Sequence, residues 1–306
     1  MGTNKAVDDI SFSVEIGKIT AIIGESGSGK SVACYSILGL VPMPPGRIDG
    51  GTALFEGQDL LQMSEAQLRE IRGRDVAMIF QDPMTCLNPY MTIGKQLMEP
   101  LLYHKDVSKE EARARALELL DEVGIRDPET TFDNFPHQFS GGMRQRVMIA
   151  MALACQPRVL IADEPTTALD VTVQAQIFDL LIELREKTGA AIILITHDMG
   201  VIAETADRVA VMYAGRIAEV GTVRDVVQHA RHPYTDGLMG SIPLVGRDVE
   251  RLTQIEGAMP RLTEIPAGCA FNPRCPKVFD RCRSSRPELM ETDRATRAAC
   301  WLYDRE

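Results

Sequence analysis

The sequence predicts an α/β fold with a mainly parallel β-sheet, a helical insertion, an antiparallel β part and a small C-terminal module rich in cysteine and proline. Three observations predict this fold class. Buried strand patterns alternate with helical patterns over 19–196, the stretch 87–139 is helical without strands, and the periodicity fades after about Gly221. Strands that alternate with helices favour a parallel sheet whose ligands bind at the carboxyl ends of the strands.

Composition limits the function classes that the chain can serve. The 306 residues include 33 basic and 43 acidic side chains, which give a net charge of −10. Because no basic stripe offsets this charge, we expect no nucleic-acid partner. No apolar run approaches the length of a membrane-spanning helix, and no secretory signal opens the sequence. The seven cysteines therefore predict reduced thiols or metal ligands in a cytosolic protein.

A glycine-rich loop at residues 24–31 gives the first indication of chemistry. Apolar and polar residues alternate over 10–16 and predict a strand, and a second apolar strand over 19–23 leads into the sequence GESGSGKS. This sequence matches G-x-x-x-x-G-K-[ST], whose backbone N–H groups surround nucleotide phosphates. A simple glycine turn with a solvated lysine is the alternative, and the flanking strand and helix favour a phosphate loop. The expected ATP contacts here are Gly24, Glu25, Ser26, Gly27, Ser28, Gly29, Lys30 and Ser31.

The next elements follow from local patterns. A helix over 32–40 is followed by a proline-rich break, and the sequence then predicts a hairpin over 48–58, a short helix over 65–72 and a buried strand over 76–80. In the helical stretch, Ser108 and Glu111 predict a capping box, because each side chain can bond the other's backbone N–H.

Strand patterns return after the helical stretch. A continuous apolar run over 158–163 ends in Asp163 and Glu164, and Asp170 caps a helix that Gly189 closes. A further buried strand over 190–196 ends at His197, and 208–220 predicts two strands that turn at Ala214 and Gly215.

Two carboxylates after a strand suit the chemistry of a phosphate loop. Asp163 is expected to hold Mg²⁺ together with the Ser31 hydroxyl, and Glu164 is expected to act as general base for the attacking water. Solvated acids at the end of a buried strand are the alternative interpretation. The presence of the phosphate loop favours the catalytic one.

A second glycine turn, Ser140-Gly141-Gly142, opens a helix and is a weak signal alone. In this order with the other elements, the chain resembles an ATP-binding-cassette ATPase, which has a phosphate-loop NTPase (RecA-like) fold. The resemblance implies a cassette over 1–225 with a helical subdomain at about 87–150, and a C-terminal module over 226–306. It also implies that two cassettes close head to tail around ATP.

The resemblance assigns roles to specific residues. Gln81 resembles the glutamine loop, which contacts Mg²⁺ and senses nucleotide, and Asp170 resembles the aspartate loop. His197 resembles the switch histidine, which contacts the γ-phosphate. Ser140, Gly141 and Gly142 resemble the signature turn, which contacts ATP held by the partner cassette.

Several short motifs resemble the dipeptide and oligopeptide permease branch of that family: FQDPM at 80–84, LNP at 87–89, SGGM at 140–143, RHPYT at 231–235 and the cysteine-bearing tail. This implies an ATPase subunit that energises peptide import. It would be peripheral on the cytoplasmic face of the bacterial inner membrane, bound to two transmembrane permease subunits and a second cassette, and served indirectly by a substrate-binding protein. A nickel or glutathione importer, a soluble cassette ATPase outside transport and an unrelated phosphate-loop switch are the alternatives.

One departure concerns adenine. The family usually has a stacking aromatic residue ahead of the segment 6–11, residues 1–5 contain none, and Phe12 is expected to pack in the core. We expect weak ATP binding that improves when an upstream extension is restored.

Four cysteines, Cys269, Cys275, Cys282 and Cys300, lie in the tail with C-x5-C-x6-C-x17-C spacing. The spacing lacks a C-x2-C pair and is a poor match to a zinc ribbon, so metal ligands and ordinary thiols both remain open. The permease resemblance implies a possible [4Fe–4S] cluster. The other cysteines, Cys34, Cys86 and Cys155, are expected in the core.

Overall fold

An eight-stranded sheet forms the centre of the computed structural model, which describes residues 4–167, 169–241 and 255–304. A separate two-stranded sheet is the hairpin β2–β3. The strands are β1 (Ile19–Ile23), β2 (Leu54–Phe55), β3 (Gln58–Asp59), β4 (Val76–Ile79), β5 (Val159–Asp163), β6 (Ala191–Ile195), β7 (Arg208–Tyr213), β8 (Arg216–Thr222), β9 (Met290–Glu291) and β10 (Arg297–Ala298).

The strand order in the large sheet is β4-β5-β6-β1-β7-β8-β10-β9. Neighbours from β4 to β7 pair in parallel, whereas β8, β10 and β9 add an antiparallel part. The predicted fold class is therefore confirmed. Because β1, β4, β5 and β6 run in one direction, the segments that follow them emerge at the same edge of the sheet.

Helices cover both faces of the sheet. Side chains alternate along each strand, so Ile19, Ala21 and Ile23 pack into one apolar cluster and Ile22 packs into another on the opposite face. The helices are α1 (Lys30–Ile37), α2 (Glu65–Ile71), α3 (Pro83–Cys86), α4 (Ile93–His104), α5 (Lys109–Glu122), α6 (Pro128–Phe132), α7 (Gly141–Leu153), α8 (Val171–Thr188), α9 (Met199–Thr205), α10 (Val223–Gln228), α11 (Pro233–Gly240) and α12 (Asp280–Ser284).

The helical insertion contains α3 to α7. Leu97 of α4, Leu119 of α5 and Phe132 of α6 belong to the larger apolar cluster. The predicted capping box starts α5: the Glu111 N–H donates to Ser108 Oγ (3.2 Å), and the Ser108 N–H donates to the Glu111 carboxylate (2.7 Å). That prediction is confirmed.

The C-terminal tail joins the main sheet. Strand β10 pairs with β8, so Arg297 lies opposite Val220 and Ala298 lies opposite Glu219. The fully buried Glu219 carboxylate accepts hydrogen bonds from the backbone N–H groups of Arg231 and His232, although burial raises its pKa. These bonds hold the segment before α11 against the sheet.

Some local predictions were wrong. No strand is present over the described residues 4–18, because Ile10, Phe12 and Val14 pack against the second cluster without ladder hydrogen bonds to a neighbouring strand, and Ile16 is 92% exposed.

Cys86 is exposed rather than buried, since the short helix α3 buries Pro83 instead. The 48–58 hairpin is limited to β2 and β3. Within the described ranges, no helix is both long and apolar enough to cross a lipid bilayer.

Candidate active site

Four of the predicted site segments meet where parallel strands end. The loop 24–31 follows β1, Gln81 follows β4, Glu164 follows β5, and His197 follows β6. Strand β5 pairs with both β4 and β6, so Ile79 lies opposite Ala162 and Asp163 lies opposite Ile195. This register places the carboxylates between the glutamine and the histidine.

The glycines of the phosphate loop allow a conformation that other residues disfavour. Gly29 has φ 100° at the start of α1, and a Cβ there would collide with the carbonyl oxygen of Ala6. A Cβ at Gly24 would collide with the carbonyl oxygen of Met212. Both positions therefore require glycine, because neighbouring backbone occupies the space of a side chain.

Lys30 lies inside this loop. Its ammonium group donates to the carbonyl oxygens of Gly24 (2.8 Å) and Glu25 (3.2 Å). Burial lowers the pKa of Lys30, and the negative charges of Glu164 and Asp163 oppose that effect. The lysine therefore lies close to both carboxylates that the sequence analysis selected.

Ser31 and Asp163 form the predicted metal pair. The Ser31 hydroxyl donates to Asp163 Oδ1 at 2.9 Å, and Asp163 is fully buried. Burial raises the pKa of this carboxyl, while the hydrogen bond from Ser31 lowers it. The Tyr35 side chain also interacts with this carboxyl and lowers its pKa, and no hydrogen bond of good geometry among the described residues reaches Asp163 Oδ2.

This donor set fits magnesium. Mg²⁺ prefers oxygen ligands and is usually held by one or two protein groups together with substrate phosphates. The described part of the chain contains no group of three or more His, Cys, Asp and Glu side chains positioned for one metal ion. A magnesium site of the Ser31–Asp163 kind does not need such a group.

Glu164 is held by its neighbours in the site. It has φ 45°, and its N–H donates to the carbonyl oxygen of Ile195 (2.8 Å). Its Oε2 accepts from Gln81 Nε2 (2.8 Å) and from Thr167 Oγ1 (3.1 Å). The Nδ1 atom of the largely exposed His197 lies 3.9 Å from Glu164 Oε1. Gln81, Glu164 and His197 are therefore brought together.

The signature turn lies elsewhere. Ser140 Oγ caps α7 by accepting from the Met143 N–H (3.3 Å), and Asp170 Oδ1 caps α8 by accepting from the Val173 N–H (3.0 Å). A Cβ on Gly142 would touch Val173, so the two helix starts are neighbours. None of the hydrogen bonds of the described residues joins this turn to the phosphate loop. Ala168 of the aspartate loop lies outside the described residues.

Sequence reasoning missed three residues that contact the site. Thr167 bonds Glu164, as described above. The Tyr234 hydroxyl accepts from the Glu25 N–H (2.8 Å), and Arg274 forms an ion pair with the Glu25 carboxylate (3.0 Å). Tyr234 lies in the motif RHPYT, which indicated a resemblance to the peptide permease branch. Nothing in the spacing of that motif indicated a contact with a loop about 200 residues away.

The four tail cysteines line one cavity. Cys269, Cys275, Cys282 and Cys300 are all free thiols and contribute to its wall together with Phe271 and other residues. Burial raises the pKa of Cys269 and of Cys300 to about 11, and the other cysteines of the group act in the same direction. The four thiols thus share one cavity wall and prefer the neutral form when no cation is bound, but among the described residues no three of them are arranged around a single metal position.

The fold and this arrangement of groups are those of a phosphate-loop ATPase. The family model described as ABC transporter matches residues 7–167, and the model described as oligopeptide/dipeptide transporter, C-terminal region, matches 218–282. The chain therefore belongs to the ABC transporter ATPase family.

Similar proteins cover nearly the whole chain. The oligopeptide transport ATP-binding protein AppD of Bacillus subtilis is 49% identical over 301 residues, covering 98% of this chain and 92% of AppD. The dipeptide transport ATP-binding protein DppD of Escherichia coli is 52% identical over 285 residues, covering 93% and 87%. Among solved structures, the ATP-binding cassette MJ0796, in a dimeric post-hydrolysis state bound to ADP and phosphate, gives a TM-score of 0.64 at 30% identity, covering 72% of this chain and 91% of that one.

Proposed function

We propose that this ATPase is the subunit that energises import of di- or oligopeptides across a bacterial cytoplasmic membrane. The observation that carries the proposal is the extent of the similarity, which reaches 52% identity to a dipeptide transport ATP-binding protein and includes the C-terminal region. A tail of the oligopeptide/dipeptide transporter kind distinguishes this chain from a bare cassette. Nickel and glutathione importers remain the alternative outcomes of the transport test.

The phosphate loop binds ATP in this proposal. The N–H groups of residues 24–31 and the start of α1 donate to phosphate oxygens, and Lys30 contacts the β- and γ-phosphates. Ser31, Asp163 and Gln81 would hold the magnesium ion. When bound, the ion neutralises charge on the phosphates. The hydrogen bond between Ser31 and Asp163, which places two oxygen ligands side by side, supports this assignment.

Glu164 accepts the proton of the attacking water. Gln81 and Thr167 donate to the same oxygen, Oε2, so they orient the carboxylate and leave Oε1 for the water. His197 lies beside Oε1 and donates to the γ-phosphate. This geometry supports a division of labour in which Glu164 is the base and the other groups fix its position.

Ser140, Gly141, Gly142 and Asp170 serve a second cassette. The exposed Ser140 and Gly141 are available to donate to a γ-phosphate held by the partner. The dimeric cassette MJ0796 supports such a pair. Closure then requires ATP, and hydrolysis removes the shared ligand. Two transmembrane permease subunits carry the pair on the cytoplasmic face of the membrane, and a substrate-binding protein delivers cargo to them.

The four tail cysteines bind a [4Fe–4S] cluster in this proposal. Four free thiols on one cavity wall match the ligand number of such a cluster, which binds four thiolates. When bound, the cluster supplies cationic iron that stabilises the thiolates. Anaerobically purified protein should contain iron and sulfide and be brown, whereas colourless protein with four alkylatable thiols would remove this part of the proposal.

The function is tested by reconstitution. The chain is co-expressed with candidate permease subunits and a second cassette, and the complex is placed in proteoliposomes with labelled dipeptide, longer peptide, glutathione or nickel chelate. We expect ATP-dependent uptake of a peptide and none with Glu164→Gln. Uptake of glutathione or nickel alone would reassign the substrate, and a failure to associate with any membrane subunit would overturn the transport role.

A further inference from the structure

Arg274 connects the cysteine module to the phosphate loop. Its Nη1 atom donates to both carboxylate oxygens of Glu25, at 3.0 and 3.1 Å. Its Nε donates to the carbonyl oxygen of Glu256 (2.9 Å) and its Nη2 to that of Gly257 (3.3 Å), and only 7% of the side chain is exposed. With the Tyr213 hydroxyl (3.3 Å from Nη1) as a fifth acceptor, this buried guanidinium has a fixed position.

Glu25 in turn contacts the groups that bind nucleotide. Its N–H donates to the Tyr234 hydroxyl, and its carbonyl oxygen accepts from Lys30 (3.2 Å). The backbone of Glu25 lies next to Gly24 in the loop that receives the phosphates. Any movement of the Glu25 side chain is therefore transmitted to atoms within one residue of the phosphate-binding groups.

The other end of the connection is the cysteine cavity. Arg274 immediately precedes Cys275 and ends a 3₁₀ turn, Asn272–Arg274. The Asn272 amide donates to the carbonyl oxygen of Cys269 (2.8 Å), and the Cys269 N–H donates to that of Cys282 (2.9 Å). The turn that carries Arg274 is thus joined to Cys275 through the chain and to Cys269 through hydrogen bonds from Asn272, and Cys269 in turn bonds Cys282.

Aromatic packing gives a second connection between the cysteine segment and the phosphate loop. The Phe271 ring lies 5.3 Å from the Tyr213 ring and 5.4 Å from the Tyr234 ring, centroid to centroid. Tyr234 bonds the Glu25 N–H, so Phe271 supports the loop through a second route. A change in the segment 269–275 would reach Glu25 through both its side chain and its backbone.

We propose that Arg274 is a positioning residue for nucleotide binding, and that occupancy of the cysteine cavity controls it. Arg274 holds the negative charge of Glu25 away from the triphosphate, which that charge would otherwise repel. A cluster that fixes the cysteines fixes the turn 272–274 and therefore this ion pair. The regulatory half rests on the proposed cluster, and the positioning half rests on the chain alone.

A double-mutant cycle tests the positioning half in the full-length chain without iron. Mg-ATP affinity is measured for wild type, Arg274→Gln, Glu25→Gln and the double variant. We expect R274Q to weaken Mg-ATP binding about fivefold or more relative to wild type, which is the low end of typical coupling between sites. The same substitution made in E25Q should weaken binding by less than about twofold relative to E25Q alone. Arg281→Gln is the matched control, because Arg281 lies in the same module but pairs with Asp304 and Trp301. Wild-type affinity in R274Q, or an equal loss in both backgrounds, overturns the proposal.

Reciprocity tests the regulatory half. If binding in the cavity changes nucleotide affinity, nucleotide must change the affinity of the cavity for its ligand by the same factor, and alkylation of the thiols reports whether the effect of nucleotide reaches the cavity. We expect Mg-ATP to change the iodoacetamide alkylation rate of the tail cysteines in metal-free wild type and not in R274Q or E25Q. E25Q breaks the same ion pair from the other side, so the test survives misfolding of R274Q. Equal alkylation rates with and without ATP overturn the coupling.

Reconstitution with iron and sulfide distinguishes failure of the proposed cluster from failure of the proposed control of Arg274. Protein that takes up iron should show an ATP affinity changed about fivefold or more relative to metal-free wild type, and the change should vanish in R274Q. If no iron is retained, the proposed cluster fails while the alkylation and double-mutant results still decide the coupling. If iron is retained and ATP affinity is unchanged, the cluster stands and its control of Arg274 is refuted.

Discussion

Replacing Glu164 by glutamine separates catalysis from binding in this site. Gln81 and Thr167 both donate to Oε2, so the oxygen of the new amide can accept both bonds and its NH₂ group takes the place of Oε1. The fold and the orientation of the side chain are therefore retained. Only proton acceptance is lost, and general-base catalysis contributes about 10²- to 10⁴-fold, or roughly 3–5 kcal/mol of activation free energy.

ATP binding should respond in the opposite sense. The substitution removes a negative charge near the γ-phosphate, a repulsion of about 1 kcal/mol at 4 Å in water, so ATP affinity should be unchanged or rise up to roughly fivefold. Phosphate release measures turnover, and fluorescent ATP titration measures affinity. Glu186→Gln, an exposed glutamate on α8 that pairs with Arg185, is the matched control. Turnover within about tenfold of wild type in E164Q, with E186Q normal, would remove Glu164 from the role of base.

Three further predictions concern binding, acid stability and folding. Lys30→Ala should weaken ATP binding roughly 10- to 150-fold, the value of a charge-assisted hydrogen bond of about 1.5–3 kcal/mol, and wild-type affinity in the same titration would contradict the role of Lys30. Burial alone would raise the pKa of Asp207, but bonds from the Ile19 N–H and Lys18 hold it below its ordinary value, so its stabilisation is present at neutral pH and is lost as pH falls through the folded-state pKa. Asp207→Asn should then cost about 1 kcal/mol in urea unfolding at pH 7 and progressively less as the pH falls through the folded-state pKa of Asp207, whereas a pH-independent cost, or an equal one in the exposed Asp179→Asn, would contradict this reasoning. Ser108→Ala removes the capping box of α5 and should lower unfolding free energy by about 1 kcal/mol in urea titration, and an unchanged midpoint would show that the cap contributes little.

The sequence predicted those parts of the molecule that local patterns determine. The buried strand runs from residue 19 onward, the capping box at Ser108 and the turn at Ala214 all depend on neighbours within a few residues, and each is present in the structure. The predicted site residues after β1, β4, β5 and β6 meet because parallel strands share an edge, a consequence of topology that alternating elements already imply. The strand expected over 10–16 was wrong because a strand requires a partner, and periodicity alone cannot supply one.

Contacts between the tail and the nucleotide site could not be predicted in this way. Arg274 and Glu25 are 249 positions apart, and an arginine beside a cysteine has no pattern that selects one distant carboxylate. Strand β10 likewise pairs with β8 through only two residues, too few for a recognisable alternation. Such contacts depend on the three-dimensional path of the tail, which the sequence did not reveal.

The functional groups of this site form hydrogen bonds with one another in the structure, and these bonds must be exchanged when ligand binds. Lys30 donates to the loop carbonyls, Ser31 donates to Asp163, and Gln81 donates to Glu164. Phosphate oxygens and magnesium compete for these same atoms, so binding exchanges internal bonds for bonds to the ligand rather than adding bonds. The net free energy of binding is therefore the small difference between the bonds formed to the ligand and the internal bonds that are broken. Small shifts of the loop can change this difference, and with it the affinity, by a large factor. A contact such as Arg274–Glu25, which touches no phosphate, is therefore able to set the affinity of the site.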